Sequence, residues 1–522
     1  MGQGPGVITR RAALGSAALA MLGCSDPPPV TGTLSGANAE HGHLLRDRRS
    51  WPAATSAGRV RVLIAGAGVA GLAAARALQQ RGIEDFALLE LEDAAGGNSR
   101  GGAVGGIACP LAAHYLPVPG DDAREVQDLL EEFGLRQRVA GRWVYDERHL
   151  CHAPQERLFF NGQWQEGLLP LQGVSQATLA QYRRFAELVE HAGHTARFTI
   201  PAPKTAAASH RLLDGSTFEQ WLNREGLGDA HLRWYLDYCC RDDYGAGIAT
   251  VSAWAGIHYF ASRHGFQPPG NQSAERDAVL TWPEGNGWLT RRLGAGLGER
   301  MRLGRVVLRI AQQRRGVQVD AWNTASQSVE RWQAQQCIVA LPVLVAARVL
   351  EDAPALLRQR AQRIRYAPWA VANLHLREPL RDRGGAAPAW DNVVYGAPGL
   401  GYVDATHQSL DPRPGPTVLT WYSALPEQAR SVLLSRTWRD WLAEVVAELA
   451  PPHPDLTAGL VHIEVARYGH AMAIPVPGTL TQQAAGVPNT ARLVFAHSDW
   501  AGYSIFEEAF TMGHRAGLGL RA

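Results

Sequence analysis

Gly66, Gly68 and Gly71 fall on one short turn, and Glu90 follows at the end of the next apolar run. These residue types at this spacing suit the binding of a dinucleotide. One glycine permits a tight turn, one lets the backbone approach a pyrophosphate, and one lets helix and strand pack closely. A helix that starts at such a turn offers free N–H groups and the positive end of its dipole to the phosphates. Glu90 can accept hydrogen bonds from a ribose diol. A carboxylate there favours an unphosphorylated adenosine ribose, so FAD or NAD rather than NADP.

The elements that must hold these residues are legible around them. Residues 59–65 (RVRVLIA) read as a short buried parallel strand. Residues 72–80 (LAAARALQQ) are strong helix formers, with Gly82 placed to cap the C-terminus. A second apolar run, 86–89, ends on Glu90. Strand, turn, helix and strand make a βαβ unit with its glycines on the first turn.

Beyond Glu90 the run Gly96-Gly97-Asn98-Ser99-Arg100-Gly101-Gly102 resembles the flavin-dependent amine oxidoreductase superfamily, which includes monoamine and polyamine oxidases and spermidine dehydrogenases. That family carries Gly-Gly-Arg here, where the chain recrosses the pyrophosphate. This chain has Asn98 in place of the arginine, and Arg100 is the residue expected to supply the charge. Near the C-terminus, residues 493–496 read as a strand, followed by His497-Ser498-Asp499-Trp500 and a helix from Phe506 to about Arg515. This resembles the family's closing motif, with Ser498 where glycine is usual. The resemblance implies that Asp499 binds the ribityl or pyrophosphate region and that the helix N-terminus at Phe506 faces the flavin O2. Trp282–Leu289, Val306–Ile310 with Val307 beside the adenine, and Cys337–Pro342 resemble further stretches of the same cofactor domain. The implied cofactor is FAD, held without a covalent bond, since residues 468–478 and 504–513 contain no cysteine.

The resemblance thins at the substrate. The stretch Arg467–Gly478 resembles the one that passes the flavin, and His470 falls where monoamine oxidases carry the flavin-linked cysteine. Ala471 and Ile505 fall where that family places two aromatic cage walls. Lys204, the single lysine of the chain, lies in a different segment from the family's active-site lysine. His114 and Tyr115 match the region beside the ring, so His470, His114 and Tyr115 are the expected catalytic set. A histidine can titrate in the working range and help keep an amine neutral. Arg241-Asp242-Asp243-Tyr244, with Trp254, His258, Tyr259 and His264, form a second cluster. It reads either as a cation-binding wall or as core aromatics beside a helix cap.

The N-terminus carries Thr9-Arg10-Arg11-Ala12-Ala13-Leu14, which resembles a twin-arginine export signal, before an apolar stretch too short to span a bilayer. Cys24 after Met21-Leu22-Gly23 resembles a lipoprotein cleavage box and is a candidate lipid anchor. The expected location is therefore periplasmic. The formal net charge of +2 gives no reason to expect nucleic acid. Six scattered cysteines without metal-ligand spacing predict neither a disulfide framework nor a metal site.

The expected fold is mixed α/β, with a Rossmann-like FAD domain interrupted by a substrate domain that has a mixed sheet and a helical insertion. The sequence divides into a leader at 1–24 and a flexible linker at 25–58. FAD-domain segments fall at 59–119, 266–366 and 476–522, and substrate-domain segments at 120–265 (helical) and 367–475. The expected activity is oxidation of an amine, polyamines included, by hydride transfer to flavin N5. Two alternatives stay open: an FAD desaturase or porphyrinogen-type oxidase of an apolar substrate, and a non-catalytic periplasmic flavoprotein. The expected partner is a small molecule; the electron acceptor is not specified.

Overall fold

The computed structural model describes residues 29–520 apart from 49, 204, 264, 270–277, 412 and 414. The export signal at Arg10 and Arg11, the candidate anchor Cys24, Lys204 and His264 therefore lie outside the described residues.

Two sheets organise the chain, and the mixed α/β architecture expected from the sequence is what forms. In the first sheet, Ser56–Ala65 is flanked in parallel by Phe86–Leu89 and Ser328–Val339. One edge of Ser328–Val339 is shared. Its first half pairs antiparallel with Gly316–Asn323, and its last residues pair parallel with Leu493–Phe495. Arg305–Gln313 closes that side. The glycine turn leads into the helix Val69–Gln80, whose first ten residues are all buried. The C-terminal helix Phe506–Gly519 crosses that helix closely. A Cβ on Gly513 would strike the Ala70 carbonyl oxygen, and one on Gly517 would lie 2.6 Å from the Ala74 oxygen.

The second sheet is eight strands wide, in the order Thr31–Gly36, Leu460–Ala473, Tyr366–Leu376, Thr417–Ala424, Tyr402–Asp404, Asp391–Val394, Glu156–Phe160 and Gln163–Glu166. Tyr366–Leu376 is buried on both faces, and its side chains alternate as strand geometry requires. Trp369 and Val371 face the helical layer, whereas Ala370, Ala372, Leu374 and Leu376 face the helix Trp438–Leu449.

Three boundaries differ from the sequence reading. The expected linker at 25–58 contains the strand Thr31–Gly36, paired in parallel with Leu460–Ala473, and the helix Ala39–Asp47. Its small polar residues read as a tether because the partners of its strand lie more than 400 residues away, as in Ser35 to Glu464. The insertion 120–265 is not wholly helical; it also holds the strands Arg136–Val139, Arg142–Tyr145, Glu156–Phe160 and Gln163–Glu166. Its first helix, Arg124–Glu132, packs Val126, Leu129 and Leu130 into the core of the cofactor domain.

No helix among the described residues is long and apolar enough to cross a membrane.

Candidate cofactor and substrate site

The glycine turn forms as its spacing requires. Gly66 adopts φ +97°, and a Cβ there would lie 2.5 Å from the Ala340 oxygen. A Cβ on Gly71 would strike the Gly66 oxygen, so this glycine seats helix on strand. Gly68 is different. Its Cβ direction meets only Gly97, at 4.0 Å, while a Cβ on Gly97 would lie 3.2 Å from the Gly68 Cα, so the two glycines leave a narrow side-chain-free gap on the cavity. That gap is where a pyrophosphate can approach the backbone.

Glu90 is buried at the end of its strand. It accepts from the N–H of Ala67 (2.6 Å) and the N–H of Glu92 (3.0 Å). Burial raises its pKa and these two N–H groups oppose the shift. Each carboxylate oxygen keeps lone-pair capacity for a ribose hydroxyl.

Asn98, which stands in the arginine's place, makes a structural tie. Its amide donates to the Ala471 carbonyl (2.5 Å) and ties the phosphate loop to the strand Leu460–Ala473. Arg100 is buried in the same wall, donating to the Gly36 carbonyl (2.9 Å) and to Glu92 (3.4 Å). Its Nε is buried without a partner, and its guanidinium places a positive charge in the cavity wall. Val307 lines the same cavity on Arg305–Gln313.

Asp499 accepts from the Val343 N–H (2.8 Å) and the Tyr366 hydroxyl (2.5 Å). Burial opposes its ionisation, but His497, Tyr366 and Val343 together hold its pKa below the ordinary aspartate value. Its Oδ1 lies 3.2 Å from His497 Nδ1, and Asp499 lines the cavity where a ribityl hydroxyl can donate to it. Ile505, at the N-cap of Phe506–Gly519, makes no side-chain cap, and Ile505, Phe506 and Glu507 all line the cavity. The first N–H groups of that helix are thus available at the cavity wall. Asp499, Arg100, the paired glycines Gly68 and Gly97 and an uncapped helix N-terminus line one cavity, and together they fit an FAD.

The cavity measures about 460 Å³ and continues past the cofactor residues to a second chemical environment. His114 and Tyr115 reach it from a segment pinned on all sides. The hydroxyls of Tyr468 and Tyr422 donate to the Leu111 and Ala112 carbonyls (3.1 and 3.0 Å). The side chains of Thr281 and Asn286 donate to the His114 and Tyr115 carbonyls (2.7 and 2.8 Å). The His114 ring packs on Tyr422 with centroids 4.4 Å apart. Trp369 and Tyr422 line the same wall, as do Ala471 and Ile505. An aromatic surface is therefore present, built from strands the motif alignment did not point to.

The expected histidines do not titrate in the working range. Burial lowers the His114 pKa to about 3. His470 also lines the cavity, in an edge-on contact with Tyr366 (5.6 Å). Desolvation and the Arg430 charge lower its pKa to about 4. Both values lie below the working range in which a histidine was expected to help keep an amine neutral.

Carboxyl groups take that place. Asp242 and Asp243 lie in the last turn of the helix Ala230–Tyr244, the end where the dipole disfavours anions. They do not cap a helix N-terminus. Gly245 ends the helix at φ +69°, so close to Ala367 and Trp369 that a Cβ would clash. Asp243 is matched by Arg263, whose Nη2 donates to both of its oxygens (2.9 and 3.1 Å). Asp242 makes no ion pair with a described residue; Tyr115 donates its hydroxyl to Oδ2 at 3.3 Å. Burial and then the Asp243 charge raise the Asp242 pKa to about 7. Glu507, in the first turn of the C-terminal helix, is also raised to about 7 by burial. All three carboxyl groups and Arg263 line the cavity.

The aromatic half of that cluster is core. Trp254 and His258 pack as tilted rings with centroids 4.6 Å apart, and His258 bonds the Thr199 carbonyl at 3.0 Å. Glu507, Arg263, Trp369 and Tyr422 were not legible as site residues. Glu507 carried one available signal, an acid in the first turn of the helix that closes the cofactor motif.

Comparison with known proteins agrees with this arrangement. Residues 69–516 match the family described as flavin containing amine oxidoreductase. An L-amino acid dehydrogenase from Synechocystis sp. is 26% identical over 217 residues, 41% of this chain and 42% of that protein's length. Wild-type putrescine oxidase bound to putrescine superposes with a TM-score of 0.68 at 18% identity, covering 88% of this chain and 98% of that one. Cyclohexylamine oxidase from Brevibacterium oxydans IH-35A superposes at 0.64 with the same identity and coverage. A fatty acid isomerase from P. acnes superposes at 0.58 with 15% identity, over 87% of this chain and 97% of that one. These structural likenesses establish the shared fold; the family match over most of the chain places it in the flavin-containing amine oxidoreductases, with FAD as the cofactor of the site described above.

Proposed function

We propose that the protein oxidises a cationic amine at its C–N bond. The observation that carries this reading is the charge of the cavity wall: three carboxyl groups, Asp242, Asp243 and Glu507, face one guanidinium, Arg263. An arriving ammonium supplies the missing positive charge, and Trp369, Tyr422 and His114 offer it an aromatic surface.

FAD bound in this site supplies the acceptor for a hydride from the substrate carbon. Each protein group has a narrower task. Tyr115 fixes Oδ2 of Asp242, while Oδ1 has no hydrogen-bond partner among the described residues. Above about pH 7 Asp242 is a carboxylate and binds the ammonium. In a buried site an ammonium–carboxylate pair is shifted toward its neutral form, because burial disfavours both charges. Asp242 can thus hold the amine proton and leave the nitrogen lone pair free. The neutral ring of His114 and its Tyr422 partner keep that end of the cavity dry and shaped.

Anaerobic titration of the purified protein with primary amines, diamines, α-amino acids and fatty acids tests the proposal. Amines should bleach the flavin absorbance and fatty acids should not. Bleaching by an uncharged apolar compound alone would move the protein to the desaturase-like reading. A flavin that no compound reduces would leave it a non-catalytic flavoprotein.

We further propose export by the twin-arginine route, which moves folded proteins and so suits a cofactor loaded before export. Arg10→Lys with Arg11→Lys should retain FAD-bearing protein in the cytoplasm; normal export of the pair would end this reading. Labelled palmitate incorporation that depends on Cys24 would establish a lipid anchor, and its absence a soluble periplasmic product.

A further inference from the structure

The stretch Thr31–Asp47 precedes the family match, which begins at residue 69, yet it reaches the cofactor cavity. Ala37 and Leu45 line that cavity beside Glu90 and Val307. We propose that this segment is a strap over the adenosine half of FAD and forms part of the dinucleotide site.

Both ends of the strap are fastened. At one end, Thr31–Gly36 adds a parallel strand to Leu460–Ala473, and the Ala37 N–H donates to the Arg467 carbonyl at 3.1 Å. At the other end, Trp51 packs on Trp322 at 5.3 Å, and the Arg48 guanidinium lies over both rings. Between them, the helix Ala39–Asp47 crosses the adenine-side strand, and Leu44 and Leu45 pack with Val306 and Trp322.

The strap is also wired to the nucleotide motif. The Asn38 N–H donates to Glu92 at 2.9 Å, two residues beyond Glu90. The Gly36 carbonyl takes Arg100, whose Nε is buried without a partner. Asn38 is at the same time the N-cap of the strap helix, accepting from the His41 N–H. Asn38, Glu92 and Arg100 therefore share one hydrogen-bonded junction, joined to Glu90 through the Glu92 N–H.

This junction predicts mutual stabilisation. Adenosine in the site gives Leu45 an apolar partner, and the docked helix slows the exit of the cofactor. The inference rests on FAD occupying the site, and its test separates the two. Hydrogen exchange of residues 39–48 is followed in the apoprotein alone, with ADP, with riboflavin and with FAD. ADP and FAD should protect the helix amides and riboflavin should not. Leu45→Ser should weaken FAD binding by about ten-fold, the effect of losing roughly one buried aliphatic contact, and should speed release on dilution. Leu45→Met should restore both. Leu410→Ser, at an exposed position, is the control.

FAD binding without protection of residues 39–48, or unchanged affinity in Leu45→Ser, would overturn the strap. Protection by riboflavin alone would also overturn it, by placing the segment over the other half of the cofactor. Failure of FAD to bind at all would instead strike the cofactor assignment. If Leu45→Ser does not fold, the exchange comparison on the wild-type protein decides alone.

Discussion

Tyr115 donates its hydroxyl to Asp242 at 3.3 Å and so joins the two halves of the site. Tyr115 belongs to a short strand held against the cofactor domain, and Asp242 to a helix of the substrate domain. The bond leaves the carboxyl half-satisfied in a buried wall, and burial raises its pKa to about 7. A cationic substrate completes the arrangement.

Asp242→Asn should therefore lower kcat/KM for an amine by about thirty-fold or more, the loss typical of removing one partner of a buried charge pair. FAD affinity should not change. In the wild type kcat/KM should fall as pH drops through about 7, because the carboxyl gains a proton and no longer holds the cation. Rates measured across that range should show this limb in the wild type and lack it in the variant.

The same substitution should stabilise the apoprotein. An aspartate with a folded pKa of about 7 and an ordinary value of 3.8 binds more protons folded than unfolded between those limits. Its favourable contribution is present at low pH and is lost as pH rises through about 7. At pH 8 Asp242→Asn should raise stability by about 1–3 kcal/mol, discounted for water in the cavity. A thermal melt of both apoproteins at pH 5 and 8 reads this directly. Equal shifts at the two pH values would show that the charge is not the cause.

Replacing His470 with Ala, or His114 with Gln, should leave the limb near pH 7 in place, since these rings titrate at about 4 and 3. Flavin reduction should slow through lost wall contacts. A limb that moves with either substitution would return the proton-exchange role to a histidine. Acid precipitation should release the flavin to the supernatant in wild type and His470→Ala alike; colour kept in the wild-type pellet and lost from the variant would reveal a histidyl link.

Glu90→Ala should weaken FAD binding by about ten- to a hundred-fold. It removes the ribose acceptor and also strands the N–H groups of Ala67 and Glu92. Glu90→Gln keeps one acceptor oxygen and should fall between. Titrating apoprotein by flavin fluorescence quenching checks both, and an unchanged affinity in the alanine variant would refute the ribose role.

Gly513→Ala should destabilise the protein by about 1–3 kcal/mol, the usual cost of forcing an extra carbon into a closed contact. The added Cβ meets the Ala70 carbonyl oxygen and pushes the C-terminal helix off the glycine-turn helix. Because that helix presents its N-terminus to the cavity, FAD retention should fall with the melting temperature. A variant with wild-type melting would show that the two helices separate at no cost.

The dinucleotide half of the site was readable because its chemistry is local. Gly66, Gly68, Gly71 and Glu90 act through one turn and the two elements beside it, so spacing alone reports their roles. Asp499 and Phe506 were reached through the family resemblance, and both line the same cavity. Asn98 and Arg100 were placed in the right wall, but their partners, Ala471 and Gly36, lie far away in the chain. Spacing carries no information about such a partner. The substrate half was closed to sequence reading on the same ground. Asp242 is raised to about 7 because the folded chain buries it beside Asp243, a shift that the Tyr115 hydroxyl, brought from a distant segment, only partly opposes. His114 and His470 are lowered out of the working range through enclosure. The N-terminal stretch shows the contrast most sharply. Its small polar residues lack the periodicity of a buried element, and it forms strand and helix because the edge of Leu460–Ala473 and the surface around Trp322 receive it. Residue types and local spacing indicated a dinucleotide, and the family resemblance they carry indicated FAD and the fold. Burial and long-range pairing, which exist only once the chain has closed on itself, decide which groups carry charge and which segment covers the cofactor.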